Sequence, residues 1–333
     1  MRGIYKSEAG RQAIEAFYRK ALERWPVANE HIIVPTRHGE TFVIACGPVG
    51  APPVLLLHGS GSNSAVWIRD VVEWSRHHRV YAVDVIGEPG LSAPSRPPLH
   101  SNAYVEWLDD VCDRLRVRSA SLVGVSLGGW IALDYAVNRP ARVDSLSLVS
   151  PSGIGGRKQL FMLKAVFMLM LGKVGVRTAM SATAGKTPVP APLARYLTLI
   201  FENFRPRREA PPIRTDDELQ ALSMPVQVIV GANDAMLHSG QTRDRITRLL
   251  PRAEVTFIDG AGHFLPPQTA RINAFLAHSR ERCSPETEAV MAEVSKSRGD
   301  LPEDTALQLV KTDQALLGAG CVVERVLPET EQR

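Results

Sequence analysis

Three side chains in this sequence are of the kinds that together open a carbonyl bond: a serine, a histidine and an aspartate, each set beside glycine. Ser126 stands in Gly124-Val125-Ser126-Leu127-Gly128, Asp234 closes Gly231-Ala232-Asn233-Asp234, and His263 lies in Gly260-Ala261-Gly262-His263-Phe264. A serine hydroxyl becomes a nucleophile when a neighbouring base takes its proton and a carboxylate orients that base. Taken singly, each residue has an ordinary reading: a β-α turn with incidental glycines, a helix-capping aspartate, a loop histidine. Their chain order, serine then aspartate then histidine, is the nucleophile, acid and base order of one known catalytic arrangement. Asp259 is a competing acid, but it lies just ahead of the histidine loop, which favours Asp234.

The reaction also requires donors for the oxyanion that forms when serine attacks a carbonyl. The backbone N–H of Leu127 is one expected donor, at the head of a helix whose dipole favours an anion. The N–H of Ser60, in His58-Gly59-Ser60-Gly61, is the other. Nothing in the sequence has the spacing of a metal site or a cofactor loop, so neither is expected.

The elements that must position these residues follow from hydropathy patterning. Leu122, Val123 and Val125 lead into the serine turn, and Trp130, Ile131, Leu133 and Tyr135 follow at helical spacing. That is strand, sharp turn, helix. In such a turn the serine backbone is strained and its flanking residues must be almost free of side chain. Val54 to Leu57, Val80 to Val83, Ser145 to Val149, Val226 to Val230 and Glu254 to Ile258 read as further strands. Helices are expected over 65–75, 102–116, 241–250 and 267–278, so the alternation implies right-handed crossovers and a mostly parallel α/β sheet. A hairpin, His31 to Pro35 with Thr41 to Cys46, precedes them. The expected organisation is an N-terminal helix in 1–29, a core from 30–150 and 218–283, a helical cap in 151–217, and an extension in 284–333 with some helix at 286–295 and 305–317.

With these motifs placed, the stretch from Val54 to Leu276 resembles the α/β-hydrolase superfamily. His58-Gly59 is similar to its oxyanion loop, Asp84 to Ser92 to its D-x-x-G-x-G-x-S loop, Gly124 to Gly128 to its nucleophile elbow, and the segments around Asp234 and His263 to its acid and base loops. The resemblance implies an α/β-hydrolase fold with helices on both sheet faces and a helical cap. Ser126, where haloalkane dehalogenases and epoxide hydrolases carry aspartate, argues against both. Tyr5-Lys6-Ser7-Glu8 and the text from Tyr81 to Gly87 are similar to bacterial carboxylesterases. This implies a serine hydrolase that cleaves a carboxylic ester of a small apolar substrate through an acyl-enzyme on Ser126. Phe161, Met162 and Phe167, with Val166 and Met168, are the expected substrate lining, and Asp84 is expected to hold its loop.

The His58-Gly-Ser-Gly61 loop also appears in carbon–carbon bond hydrolases of aromatic-ring degradation. A carbon–carbon hydrolase or lyase with the same triad is therefore one alternative, with Trp130 and Arg195 or Arg205 as candidates for the tryptophan and arginine of those enzymes. A non-catalytic ligand receptor or chaperone on the same fold is another.

Bulk composition narrows the partners to a small-molecule substrate. The net charge of +4 is spread over 333 residues, and the arginines at 205–208 and 243–252 have no interleaved aromatics, so nucleic-acid binding is not expected. Leu160 to Leu171 is broken by Lys164 and is shorter than the roughly 20 residues a membrane span needs. Met1 to Arg24 lacks the apolar core of a signal peptide. Four scattered cysteines point to a reducing cytoplasm. No feature sets an oligomeric state.

Overall fold

Strand β1 (Asn29–Val34) pairs antiparallel with β2 (Thr41–Cys46) as a hairpin, and β2 pairs antiparallel with β4 (Arg79–Val83). From β3 (Pro53–Leu57) onward the pairing is parallel through β5 (Ala120–Val125), β6 (Val143–Val149), β7 (Val226–Gly231) and β8 (Glu254–Ile258). The sheet order is β1-β2-β4-β3-β5-β6-β7-β8. The structure is a computed structural model in which residues 3–159, 175, 178, 182–185 and 191–282 are described. The sheet and the site lie in one unit, Met1–Arg280.

The continuous apolar runs are strands because both sheet faces are covered, as parallel sheets require. Side chains alternate between the faces with the period of two. Leu55, Leu57, Leu122 and Leu146 pack on one face with Trp107 and Leu108 of α3 (Ala103–Arg114), Ile131 of α4 (Leu127–Asn138) and Ile246. Val54, Leu56 and Val123 pack on the other with Tyr18, Trp74, Ile272 and Leu276. Tyr18 belongs to α1 (Glu8–Leu22), Trp74 to α2 (Val71–Trp74), Ile246 to α7 (Ser239–Leu249), and Ile272 and Leu276 to α8 (Thr269–Arg282). Between β6 and β7 come α5 (Ala191–Asn203) and α6 (Asp216–Gln220).

The strand register places the site. Leu57 lies beside both Val83 and Gly124, Val125 beside Val149, and Val149 beside Ile229. The residues that follow, His58, Asp84, Ser126 and Ser150, therefore emerge in one row at the carboxyl edge of the sheet, where open α/β sheets bind ligands.

One element differs from expectation. The helix expected over 65–75 is a 3₁₀ turn, Ser64–Trp67, followed by the single turn α2. The Asn63 side chain accepts from the Ala65 N–H and starts the turn early. The break lets Trp67 and Trp74, with ring centroids 5.9 Å apart, both bury against the sheet. The expected lining residues Phe161, Met162 and Phe167, with Val166 and Met168, and the segments 286–295 and 305–317, lie outside the described residues.

Candidate active site

The serine turn carries the strain its sequence implies. Ser126 has φ 53°, ψ −107°, a left-handed φ that a residue with a side chain rarely adopts. It is tolerated because the turn is fixed on every side. Ser126 donates its N–H to the Val149 carbonyl, and its own carbonyl accepts from Trp130 and Ser152. The flanking glycines answer to close backbone approach: a Cβ on Gly124 would lie 2.5 Å from the Gly128 oxygen, and one on Gly128 would lie 2.1 Å from the Leu57 oxygen. Strand and helix could not pass this closely with any side chain at either position.

The structure brings Ser126, His263 and Asp234 into one hydrogen-bonded chain. His263 Nδ1 lies 2.7 Å from Asp234 Oδ2, and His263 Nε2 lies 3.1 Å from Ser126 Oγ. An ionised carboxylate can only accept, so Nδ1 carries the ring proton and Nε2 is left to accept from the serine hydroxyl. Asp234 is 1% exposed, and its other oxygen accepts the N–H groups of Met236 and Leu237. Burial pushes its pKa up, but the hydrogen bond and charge of His263 and these two N–H groups outweigh burial and hold the carboxyl below its usual range. Asp259 is exposed and takes no bond from His263.

Several residues that hold the triad carry no local signature. The acid and base loops are laced together by Asn233 N–H to the Ala261 carbonyl at 2.8 Å, and a Cβ on Gly231 would lie 2.2 Å from the Gly262 oxygen. His263 is gripped through its backbone: its N–H donates to the Thr183 carbonyl, and its carbonyl accepts from Ser150 Oγ. Lys158 Nζ donates to the Asp234 carbonyl at 2.6 Å. These partners are 76 to 113 residues from the triad members they hold in the cases of Lys158 and Ser150, so spacing in the sequence cannot announce them.

On the oxyanion side, the N–H groups of Ser60 and Leu127 donate to no described residue. The peptide joining Gly59 to Ser60 is oriented by His58, which is wholly buried. His58 Nε2 must accept the Val85 N–H at 2.9 Å, so Nδ1 carries the proton and donates to the Gly59 carbonyl, also at 2.9 Å. Burial favours this neutral ring by lowering its pKa. Because carbonyl and N–H point in opposite directions across a trans peptide, anchoring Gly59 O fixes the direction of the Ser60 N–H. A Cβ on Gly59 would stand 3.5 Å from Ser126 Cβ, which places the loop against the serine.

Asp84 is structural. Its oxygens accept from Tyr18 Oη, the Ser64 N–H and the Leu91 N–H, tying α1 to the loops after β3 and β4. Trp130 is fully buried and donates its indole N–H to the Pro212 carbonyl. Arg205 donates to the carbonyls of Gly3 and Tyr5, and Arg195 is exposed on α5. The side chains of the three bond no described triad residue; Trp130 meets Ser126 only through its backbone N–H. Among the described residues no group of histidine, cysteine or acidic side chains could hold a metal ion, and no helix is long and apolar enough to cross a membrane.

With the geometry in place, comparison with known proteins gives it a lineage. The model of the alpha/beta hydrolase family matches residues 54–275, which runs from β3 into α8. The chain belongs to the α/β-hydrolase family. It is 30% identical over 268 residues to carboxylesterase YbfK of Bacillus subtilis, covering 78% of this chain and 89% of that relative. The crystal structure of that esterase matches with a TM-score of 0.72 over 80% of this chain and 98% of that one. The naproxen esterase (carboxylesterase NP) of the same species matches with a TM-score of 0.72 at 26% identity, over 82% of this chain and 99% of that one. This α/β hydrolase is an enzyme similar to bacterial carboxylesterases.

Proposed function

We propose that the enzyme cleaves a carboxylic ester of a small apolar substrate through an acyl-enzyme on Ser126. The observation that carries this reading is the unbroken hydrogen-bond chain Ser126 Oγ, His263 Nε2, His263 Nδ1, Asp234 Oδ2, standing beside two backbone donors that bond no described residue. His263 Nε2 takes the hydroxyl proton as Ser126 Oγ bonds to the ester carbonyl carbon. The carbonyl oxygen becomes an oxyanion that the N–H groups of Ser60 and Leu127 receive. Collapse of this tetrahedral species breaks the bond to the alcohol, which leaves with the proton returned by His263. Water, deprotonated by the same ring, then releases the acid. Asp234 keeps the tautomer and stabilises the imidazolium formed in each half-reaction.

The cap is proposed to comprise residues 151–217, and Phe161, Met162 and Phe167, outside the described residues, are proposed as substrate-binding residues. Its described residues Thr183 and Ala184 meet the base loop through their carbonyls, which supports a seat beside the triad. Resemblance to two carboxylesterases supports the ester as the bond attacked, in place of a carbon–carbon bond. The test is a substrate panel with the purified chain: p-nitrophenyl acetate and butyrate, a thioester, a lactone and a vinylogous diketone. Rapid turnover of the nitrophenyl esters, lost in Ser126→Ala, is expected. Turnover of the diketone alone would sink the ester assignment and keep the triad; no turnover of any substrate, with no fluorophosphonate labelling, would make the chain a non-catalytic member of its family.

A further inference from the structure

Glu88 takes no part in the chemistry described above, yet its carboxylate is 1% exposed and is turned onto the oxyanion loop. Its Oε2 accepts the N–H of Gly61 at 2.6 Å and the hydroxyl of Ser60 at 3.1 Å. These are the two polar groups that flank the proposed donor: the side chain of Ser60 and the next amide along. Both point at Glu88, and the Ser60 N–H between them has no described acceptor. Gly61 has φ +67°, a left-handed conformation open to glycine, which turns its N–H onto Glu88.

Resting on the reading of Ser126 as the nucleophile, we infer that Glu88 is a positioning residue for the oxyanion hole. Its carboxylate draws the Ser60 side chain and the Gly61 amide towards itself, so that among the donors of this loop the Ser60 N–H is the one left for the developing oxyanion, alongside the Leu127 N–H from the elbow. His58 fixes one end of this loop by the Gly59 carbonyl, and Glu88 fixes the other.

A buried anion beside a developing anion is electrostatically unwelcome, so Glu88 has to be explained by geometry. Hydrogen bonds to a carboxylate are roughly twice as strong as neutral ones, which suits a loop that must not yield when charge appears. Burial holds the Glu88 pKa above the usual carboxylate value; the Gly61 N–H, Arg96, the Ser60 hydroxyl and Arg207 offset this only in part. Arg96 is itself anchored by Nε on the Gly87 carbonyl at 2.8 Å. Gly87, at φ +76°, makes the turn that delivers Glu88, and a Cβ there would lie 2.6 Å from the Ser95 oxygen.

The experiment compares Glu88→Ala, Glu88→Asp and Glu88→Gln with the parent chain on p-nitrophenyl butyrate, with Ser126→Ala as control. Complete loss of an oxyanion donor costs ~10²–10³ in rate, so a donor left in place but free to swing is expected to cost about 10- to 100-fold in kcat in Glu88→Ala. KM stays within about threefold, because the donor acts on the transition state rather than the bound ester. The pH profile of kcat/KM keeps its shape, since the triad is untouched. Affinity for a trifluoromethyl ketone, whose hemiketal oxygen occupies the hole, falls in parallel with kcat. Glu88→Gln retains an acceptor for the Gly61 N–H and recovers most of the rate; Glu88→Asp, one methylene shorter, does not. Should Glu88→Ala fail to fold, the Asp and Gln pair carries the comparison. A kcat within twofold of the parent in both Ala and Asp variants, or a loss in Ala and Asp matched by Gln, overturns the positioning role. If Ser126→Ala is as active as the parent, the functional reading itself falls and takes this inference with it.

Discussion

A serine hydroxyl is a feeble nucleophile until its proton has somewhere to go, and at Ser126 the route is set by which ring nitrogen of His263 carries hydrogen. Asp234 decides that. With Oδ1 occupied by two backbone N–H groups, Oδ2 is left for Nδ1–H. Asp234→Asn keeps the shape but can present its amide N–H to Nδ1, forcing the hydrogen to Nε2, where it blocks the serine. A fall in kcat of about 10⁴-fold on a nitrophenyl ester, with KM little changed, is the expected outcome in steady-state kinetics. The positions of Ser126, Asp234 and His263, proposed as a triad and joined in one hydrogen-bonded chain, could be read because each follows a readable strand and sits among glycines. The residues that orient them were not. His58 acts through a tautomer fixed by the Val85 N–H, and Thr183 and Lys158 act on His263 and Asp234 across loops. No local pattern in a sequence records a hydrogen bond between loops.

At the scale of elements, two contacts govern the site. The first is the crossing of β3, β5 and α4, where Gly124 and Gly128 admit no side chain. Gly128→Ala drives a Cβ into the Leu57 carbonyl, and overpacking of this sort costs about 1–3 kcal/mol when the surroundings can shift. Urea denaturation should report at least that loss, together with an inactive elbow. The second is the seating of α5. Ile4, Ile14, Tyr196, Ile200 and Phe204 form a small apolar cluster between the N-terminal segment and α5. Lys6 N–H and the Asn203 carbonyl, and Arg205 N–H and the Ile4 carbonyl, pair the segment to the end of that helix. From α5, Tyr196 Oη accepts from Asn63 Nδ2 in the loop after β3, and Ile200 stands beside Gly61. Ile14→Ala, a large-to-small change at a fully buried position, is expected to cost about 2–5 kcal/mol and to raise KM more than it lowers kcat. The sequence implies an N-terminal helix in 1–29, but not its partner, because α1 and α5 are separated by most of the sheet in sequence. Phe17 turned outward from the main core to stack on Tyr196, with ring centroids 5.2 Å apart.

For the molecule as a whole, the fold was legible wherever hydropathy alternated with glycine-rich strand ends, and least so between Ser150 and Asp217, where no such rhythm exists. One buried pair there links α4 to the segment ahead of α6: Asp134 and Arg214, whose guanidinium also lies over the Trp130 ring. Burial pushes the Asp134 carboxyl up to about 6, against the pull of Arg214. A folded-state pKa raised above the unfolded value means the folded protein holds the proton more tightly, so stability falls as pH rises from about 4 to about 6 and is level above. Thermal melts of Asp134→Asn, which has no proton to lose there, should therefore gain on the parent as pH rises through that window. A constant difference would contradict it. The central claim remains the acyl-enzyme on Ser126, and intact-mass spectrometry after fluorophosphonate treatment tests it most directly. One adduct per chain is expected, mapped to the peptide containing Ser126, absent in Ser126→Ala and formed far more slowly in His263→Ala. An adduct on another residue, or equal labelling of Ser126→Ala, would contradict it.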